Sequence, residues 1–466
     1  MRAPNVQLDR IAADAPAVPV AIVGAGACGL TTAIFLREAG IDCVLLERDP
    51  TPGGSTALSS GFIPAAGTLA QRRSGVHHDT PATFAHDIQH KARGTAAAHL
   101  VAAYTEAIVP ALDGLHIRHG LRFDVLDGFL YPGHRLRRMH ALRERTGAAL
   151  VAALEASARA LGAMLLTKAR VLELHVDAQQ RIRGLGYERP DGRIEHLHCD
   201  ALVLANNGFG GNAAMVREWL PPMRDAIYAG HQGNDGSAIA WGRALGARCA
   251  DLGGYQGHGA WAVPQGALIT WALMMQGGVQ LNARGERFHD ETAGYSEAAV
   301  HVLAQPGGVA WNVFDDRLLA LGRSFPDFVA AEAAGAVRHA ADSNALAAII
   351  GCDATTLRQT LASTVLTPPM HTIKVTGALF HTQGGLDIDA HCRVLREDGR
   401  PFANLLAAGG AARGVSGNAV WGYLSGNGLL SAVAGGYIMA ATLAQQWSSP
   451  LTTATPAGPA APHAPA

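Results

Sequence analysis

The segment VPVAIVGAGACGL, residues 18–30, constrains this chain more than any other part of it. A short run rich in Val, Ala and Ile ends at Gly24, and Gly24, Gly26 and Gly29 then stand in GxGxxG register ahead of an apolar-periodic stretch that stops at Gly40. Glycine at the first position permits the tight turn, and at the second it lets backbone N–H groups approach a pyrophosphate at the positive end of the helix. Alone the pattern is weak. Here it lies between a strand and a helix, and a second strand, IDCVLLE, follows at 41–47, so the three make a βαβ unit of the dinucleotide-binding kind. Glu47 closes that second strand close to the roughly 20-residue spacing at which an acidic side chain meets ribose hydroxyls. The plain alternative is a surface glutamate at a strand end.

The rest of the chain reads as more of the same layered fold. RTGAALVAALEASARALGA (145–163) predicts a helix, LLTKARVLELHV and RIRGLGYE a hairpin, and DALVLA (200–205) a buried strand running into the polar glycine-rich loop NNGFGGN. After an irregular middle, NLLAAGG (404–410) is again a strand entering a glycine turn, with a helix starting near Gly428. Much of the glycine, 55 residues in all, concentrates near 24–67, 207–211, 253–259, 277–278 and 377–436, and glycine clustered at strand-to-helix junctions lets backbone approach a ligand. A formal net charge of −1 and a pI near 7.1 leave no overall basic field for nucleic acid or an anionic membrane. The six cysteines show no CxxC pair and no zinc-finger spacing, so reduced thiols and no metal are expected. With no secretory pattern and no unbroken apolar run of about 18 residues, the expectation is a cytoplasmic protein without a membrane span. Residues 1–17 and 448–466, poor in core-forming side chains, read as loose tails.

FAD and NAD both use such a βαβ unit, and other segments choose between them. RDPTPGGSTALSSGFIPAAGT (48–68) resembles the GG(S/N)xxxSxGG stretch of the fumarate reductase and succinate dehydrogenase flavoprotein family, and LLAAGGAARGVSGNAVWGYLSGNGLL (405–430) resembles its second cofactor segment. The resemblance covers about 18–447 and implies FAD held by Gly24, Gly26, Gly29, Glu47, Gly54, Ser55, Thr56, Ser60, Gly61, Asn206, Gly409, Gly410, Asn427, Gly428 and Leu429. Two departures bear on it. Asn207 stands where the family's LAtGGFggn has glycine, and asparagine tolerates left-handed backbone. Ser55 stands at the register where succinate dehydrogenases attach FAD through a histidine, which implies non-covalent FAD.

Three further segments match the family's substrate side. YQGH (255–258) sits where the family carries a QxHP-like histidine, NARGERFHDETAGYSE (282–297) resembles NxxGxRFxNExxxxR, and GALFHTQGGLDID (377–389) resembles GxHHTMGGLxI. They make His258 and His381 substrate-binding candidates, against the ordinary case of a structurally satisfied histidine. Fumarate reductases place a proton-delivering arginine four residues after the glutamate of RFxNE, and here that residue is Tyr295. A second family arginine, the carboxylate clamp, aligns with Tyr423. Without either guanidinium a dicarboxylate is poorly met. Tyrosines at both places resemble the 3-ketosteroid Δ1-dehydrogenases. That resemblance implies Tyr295 as the acid–base group beside the flavin and Tyr423 as donor to a substrate carbonyl; packed cap aromatics are the alternative. Arg413 is left between a substrate contact and loop support.

The expected architecture is α/β: a Rossmann-like FAD-binding domain from 18–255 and 379–447, with a capping domain inserted at 256–378. The expected activity is dehydrogenation of a carbonyl-activated CH–CH bond with hydride passing to flavin N5. The expected partners are a small-molecule substrate and an electron acceptor or donor that the sequence does not identify. Enoate reduction is the close alternative, and a flavin hydroxylase or a non-catalytic flavoprotein the distant ones.

Overall fold

The structure, a computed structural model, describes residues 3–448. Most of the segment expected as a C-terminal tail lies outside these residues. The elements that position the site are β1 (Asn5–Leu8), β2 (Ala17–Val23), α1 (Ala27–Glu38), β3 (Cys43–Leu46), α2 (Ala98–His119), β4 (Met164–Leu166), β5 (Arg170–Val176), β6 (Ile182–Glu188) and β7 (Ile194–Leu204). They continue with β8 (Tyr255–Ala262), α3 (Tyr295–Leu303), β9 (Val309–Asp315), β10 (Met370–Thr382), β11 (Arg393–Leu395), β12 (Pro401–Ala407) and α4 (Asn427–Ser448).

The first sheet has nine strands, with β1, β5, β6, β7, β2, β3 and β4 in line and β12 and β11 branching from β7. β2 lies parallel between β7 and β3, with Val20 opposite both Ala201 and Cys43. Buried on both faces, its centre is a continuous apolar run rather than an alternating one. The turn to α1 carries Gly24 at φ +101°, and a Cβ on Gly29 would fall 2.0 Å from the Gly24 carbonyl oxygen, so both glycines are demanded by packing. α1 packs on α4 just as closely: a Cβ on Gly436 would meet the Cys28 carbonyl oxygen at 2.7 Å.

Part of the segment expected as a loose N-terminal tail is structured. β1 pairs parallel with β5, Gln7 opposite His175, because that edge of the sheet is open and Val6 packs against the core. Two helices, α2 and α4, are long and apolar enough by composition to cross a membrane, at mean hydropathies of 1.2 and 1.3. In the fold, 56% and 67% of those apolar windows are buried. Pro110 sits within α2.

A seven-stranded second sheet is organised around β10, which pairs antiparallel with β8 and β9. β8 and β10 run continuously through residues 256 and 378, and the short strand Ile227–Tyr228 pairs with Ala378–Leu379 in the same sheet. Its own buried cluster contains Phe62, Trp271, Tyr295, Phe314 and Tyr423.

Candidate active site

One cleft of about 1880 Å³, its solvent-open mouth included, runs from the β2–α1 turn to the second sheet. Gly24, Gly26, Glu47, Gly54, Ser55, Thr56, Ser60, Gly61, Asn206, Gly409, Gly410, Gly428 and Leu429 all line it. Gly29 does not, being packed against Gly24. Asn427 also lies off the wall. Its amide donates to Ser416 Oγ at 3.0 Å, while its buried Oδ1 has no protein partner.

At the nucleotide end Glu47 is 7% exposed, and its carboxylate accepts the Ala25 N–H at 2.9 Å and the Asp49 N–H at 3.0 Å. Burial pushes its carboxyl above the usual range and the two N–H groups oppose that. The acid thus holds the glycine turn as well as facing the cleft. Thr56 Oγ1 accepts the Ala27 N–H at 3.1 Å, tying the 48–68 segment to the start of α1. Ser55 Oγ accepts from the His231 N–H and from Asn234 Nδ2, at 3.2 and 2.8 Å. Ser60 lines the cleft, but its hydroxyl donates across to Asp327 at 3.1 Å. Asn207 takes the left-handed φ of +65° expected for a residue in a glycine's place.

The residues present fit FAD. A floor of glycines leaves backbone exposed where a phosphate must approach, and a Cβ on Gly26 would meet nothing nearer than 3.4 Å, so a side chain there would enter the cleft. Asn206 adds a buried Oδ1 without a protein partner, its amide donating to Ser237 Oγ at 2.9 Å. FAD belongs in this cleft, between the glycine turn and the start of α4.

At the other end the structure brings His258, Tyr295, His381 and Tyr423 together on the cleft wall. Glycine makes this possible. Gly257 and Gly259 flank His258, and a Cβ on either would come within 2.8 Å of an alanine Cβ on α3. The helix therefore lies directly on β8 and stacks Tyr295 on His258, ring centroids 4.7 Å apart and planes at 21°. Gly294, at φ +140°, sets the entry into α3 one residue before Tyr295. Glu291, four residues before Tyr295, is 2% exposed, accepts the Gln280 N–H at 2.9 Å and pairs with Arg287. The RFHDE segment thus anchors the loop that delivers the tyrosine.

The two tyrosines meet edge to face, ring centroids 6.1 Å apart, and Ser425, Gly426 and Gly428 at the start of α4 line the wall beside them. Burial raises both phenols, Tyr295 well above its ordinary value and Tyr423 to about 12, so both are protonated at neutral pH. No cation activates Tyr295 in the way a resting base would require.

His258 Nδ1 accepts the Ala260 N–H at 3.1 Å, which leaves its proton on Nε2. His381 Nδ1 faces Gln383 Nε2 at 2.7 Å, while Gln383 Oε1 receives Ser416 Oγ at 3.0 Å, so the amide orientation also leaves the His381 proton on Nε2. Burial lowers His258 to about 3 and His381 to about 4, so both are neutral donors. A Cβ on Gly410 would lie 2.8 Å from His381 Nε2, placing that donor edge against the glycine floor.

Several wall residues were not reached from sequence: Tyr131, Gln256, Thr270, Trp271, Asp327 and Phe380. Gln256 and Phe380 lie beside His258 and His381 in the segments already singled out, whereas Tyr131, Thr270, Trp271 and Asp327 come from parts of the chain that carry no motif. Gln383, behind His381 rather than on the wall, lies two residues from it on the same segment. Besides histidine, Arg48 and Arg170 are the only cationic residues lining the cleft among the described residues, and both pair with Asp235 at the nucleotide end. Arg413 bonds Asp251 at 2.6 Å and Asp387 at 3.5 Å and does not line the cleft, which decides for loop support.

The NADH:fumarate oxidoreductase of Klebsiella pneumoniae is 25% identical over 85% of this chain, and the chain spans 45% of that longer protein. Among solved structures, the open conformation of a flavocytochrome c3 fumarate reductase matches with TM-score 0.78 at 23% identity, over 93% of this chain and 79% of that one. The 3-ketosteroid-Δ4-(5α)-dehydrogenase of Rhodococcus jostii, in complex with 4-androstene-3,17-dione, matches with TM-score 0.74 at 22% identity, over 95% of this chain and all of that one. Residues 19–429 match the FAD binding domain family, so the chain belongs to that family and FAD is its cofactor.

Proposed function

We propose that this protein is an FAD-dependent oxidoreductase acting on a CH–CH bond next to a carbonyl group, in an uncharged small-molecule substrate. One observation carries the reading: Tyr295 stacks on His258 and meets Tyr423 edge to face on the cleft wall, at an end where no arginine or lysine lines the cleft among the described residues. Relatives named as fumarate reductases and as ketosteroid dehydrogenases support the bond type. The missing guanidinium groups separate this site from dicarboxylate recognition.

FAD, when bound, supplies the two-electron exchange with the substrate carbon. The chain's own groups do the rest. The Tyr423 hydroxyl donates to the substrate carbonyl, and the positive N-terminal end of the 22-residue helix α4, where Gly426 and Gly428 line the cleft, stabilises charge that develops on the oxygen. Tyr295 exchanges the proton at the carbon α to that carbonyl: as the phenol it gives that proton in reduction, and as the phenolate it takes it in dehydrogenation. His258 and His381, neutral and protonated on Nε2, orient the substrate by donation. The aromatic wall of Trp271, Phe325 and Phe380 excludes water and packs an apolar body.

Dehydrogenation is the principal direction proposed. The protonated state of Tyr295 favours enone reduction as the second reading, because the resting group is already a proton donor. FAD is proposed to be non-covalent, supported by the Ser55 hydroxyl being occupied by His231 and Asn234. The residues 256–378 are proposed as the cap, the electron carrier as a small molecule or protein not identified by the site, and the setting as cytoplasmic. All six cysteines being free thiols supports that setting. Anaerobic exposure of the yellow holoenzyme to neutral cyclic ketones, to enones after flavin reduction, and to fumarate tests the assignment. Bleaching by ketones, or reoxidation by enones, is expected. Reoxidation by fumarate alone would overturn it.

A further inference from the structure

A second constellation lies on the face of the first sheet, away from the FAD cleft, and does not depend on the function proposed above. Glu173 and His175 are two apart on β5 and so point to one face. On β6 the residues opposite them are Gly186 and Gly184, and His196 on β7 is opposite Gly186. The glycine keeps the space between the outer strands clear: a Cβ on Gly186 would stand 2.8 Å from Glu173 Oε2. β1 then lays Gln7 opposite His175.

The result is a converging donor set. Glu173 Oε2 lies 3.5 Å from His175 Nε2 and 3.5 Å from His196 Nε2, and the three ligand atoms all fall within 4.8 Å of one another. Tetrahedral zinc with bonds of about 2.0–2.1 Å separates its ligand atoms by about 3.3–3.4 Å. Gln7 Nε2 sits 3.0 Å from Glu173 Oε2 and 3.4 Å from His175 Nε2. Its donation to His175 Nε2 puts that ring's proton on Nδ1 and turns the Nε2 lone pair towards the cluster. His175 is 1% exposed, and its buried Nδ1 has no partner, so the ring is held by packing. His196, with 36% of its side chain exposed, opens the site to solvent and gives an ion a way in. A half-turn of the Gln7 amide would present Oε1 as a fourth ligand, an orientation that costs only the two bonds it now makes. Mixed imidazole and carboxylate donors at this spacing suit a borderline divalent ion better than Mg²⁺ or Ca²⁺, which take oxygen ligands.

We propose that Glu173, His175 and His196, with Gln7 completing the shell, bind one divalent transition-metal ion of the zinc type, pinning the N-terminal strand β1 to the β5–β7 meander. The site is structural: none of the three ligands lines the FAD cleft.

Holoenzyme stripped with EDTA and titrated with Zn²⁺ by calorimetry tests this. One saturable site is expected, with dissociation constants at least 100-fold weaker in His196→Ala and Glu173→Gln, the flavin spectrum unchanged in both. His198→Gln, on the same strand outside the cluster, should bind like the parent protein and controls for other surface histidines. Zn²⁺ should also raise the melting temperature of the parent protein and not of His196→Ala. Absence of saturable binding, or the same affinity in both ligand variants as in the parent, overturns the proposal. Should Glu173→Gln fold poorly, His196→Ala alone decides, because its partly exposed ring can be lost without opening the core.

Discussion

Removing the Tyr295 hydroxyl tests the proposed chemistry at one oxygen atom. Tyr295 is 8% exposed, and its ring stacks on His258 at 4.7 Å and meets Tyr423 at 6.1 Å and Trp271 at 6.3 Å, edge to face. Tyr295→Phe keeps all of these contacts. What it loses is the phenolic oxygen alone, with the Tyr423 ring and the glycine turn at the start of α4 left in place. The stability cost should be about 1 kcal/mol, that of one hydrogen-bonded hydroxyl. The kinetic cost is larger, because a positioned acid–base group supplies ~10²–10⁴-fold, or about 3–5 kcal/mol of barrier. The assay is anaerobic stopped-flow on FAD-loaded protein, following flavin bleaching by whichever ketone reduces the parent enzyme, or recolouring by the matching enone. A melting temperature within a few degrees of the parent, intact flavin absorbance and a rate reduced 100-fold or more are expected. A rate within threefold of the parent would remove Tyr295 from proton transfer and leave its position to packing alone.

Gly26→Val should give folded but colourless protein, since a β-branched side chain would occupy the cleft floor, and acid precipitation of the parent should release all flavin into the supernatant; a yellow variant or a yellow pellet would contradict the respective assignment. His381→Ala should lower kcat/KM by roughly 10- to 1000-fold with the flavin spectrum intact. Gln383→Leu should cost about 10-fold in kcat/KM, because it frees the His381 tautomer without touching the cleft floor, and an unchanged value would detach the amide from the site. Stability should fall on acidification from pH 7 to 5.5. His134, His140 and His381 are lowered to about 4 and His258 to about 3 by burial, so each folds neutral and takes up a proton on unfolding below its ordinary 6.5. At pH 5.5 this amounts to roughly 1.4 kcal/mol per imidazole, and thermal melts flat over that window would show the rings to be accessible in the fold.

The site is a hybrid in physical terms. On the proposed reading it keeps two neutral imidazoles to orient a substrate, and a phenol pair stands where the family resemblance puts two guanidinium groups. A dicarboxylate needs cations, whereas a ketone needs a donor that can share developing negative charge with fixed dipoles. Tyr423, which meets Tyr295 edge to face and shares the cleft wall with Gly426 and Gly428 at the start of α4, is placed for that role on the proposed reading.

Sequence alone was enough for the features that depend on short-range backbone chemistry. The GxGxxG turn, the acid at the end of β3, the left-handed Asn207 and the glycine-flanked histidines were legible because each requirement falls within a few residues of chain. Tyr295 was reached through the family resemblance of RFHDETAGY, and the structure adds that the buried Glu291 carboxylate anchors the loop leading to it. Tertiary structure decided what depends on contacts between distant segments. Ser60 reaches Asp327, 267 residues away, and Arg413 bonds Asp251, 162 residues away. The Asn427–Ser416–Gln383–His381 network joins the start of α4, the loop before it and the end of β10, and Glu173 meets His196 only across the glycine strand β6. The segment at 5–8 was read as tail because four residues carry too little pattern to predict a strand; it pairs because the edge of β5, formed far along the chain, offers unpaired backbone groups. Local sequence dictates turns and caps, and only the assembled sheets determine which polar groups find partners and which remain free for a ligand.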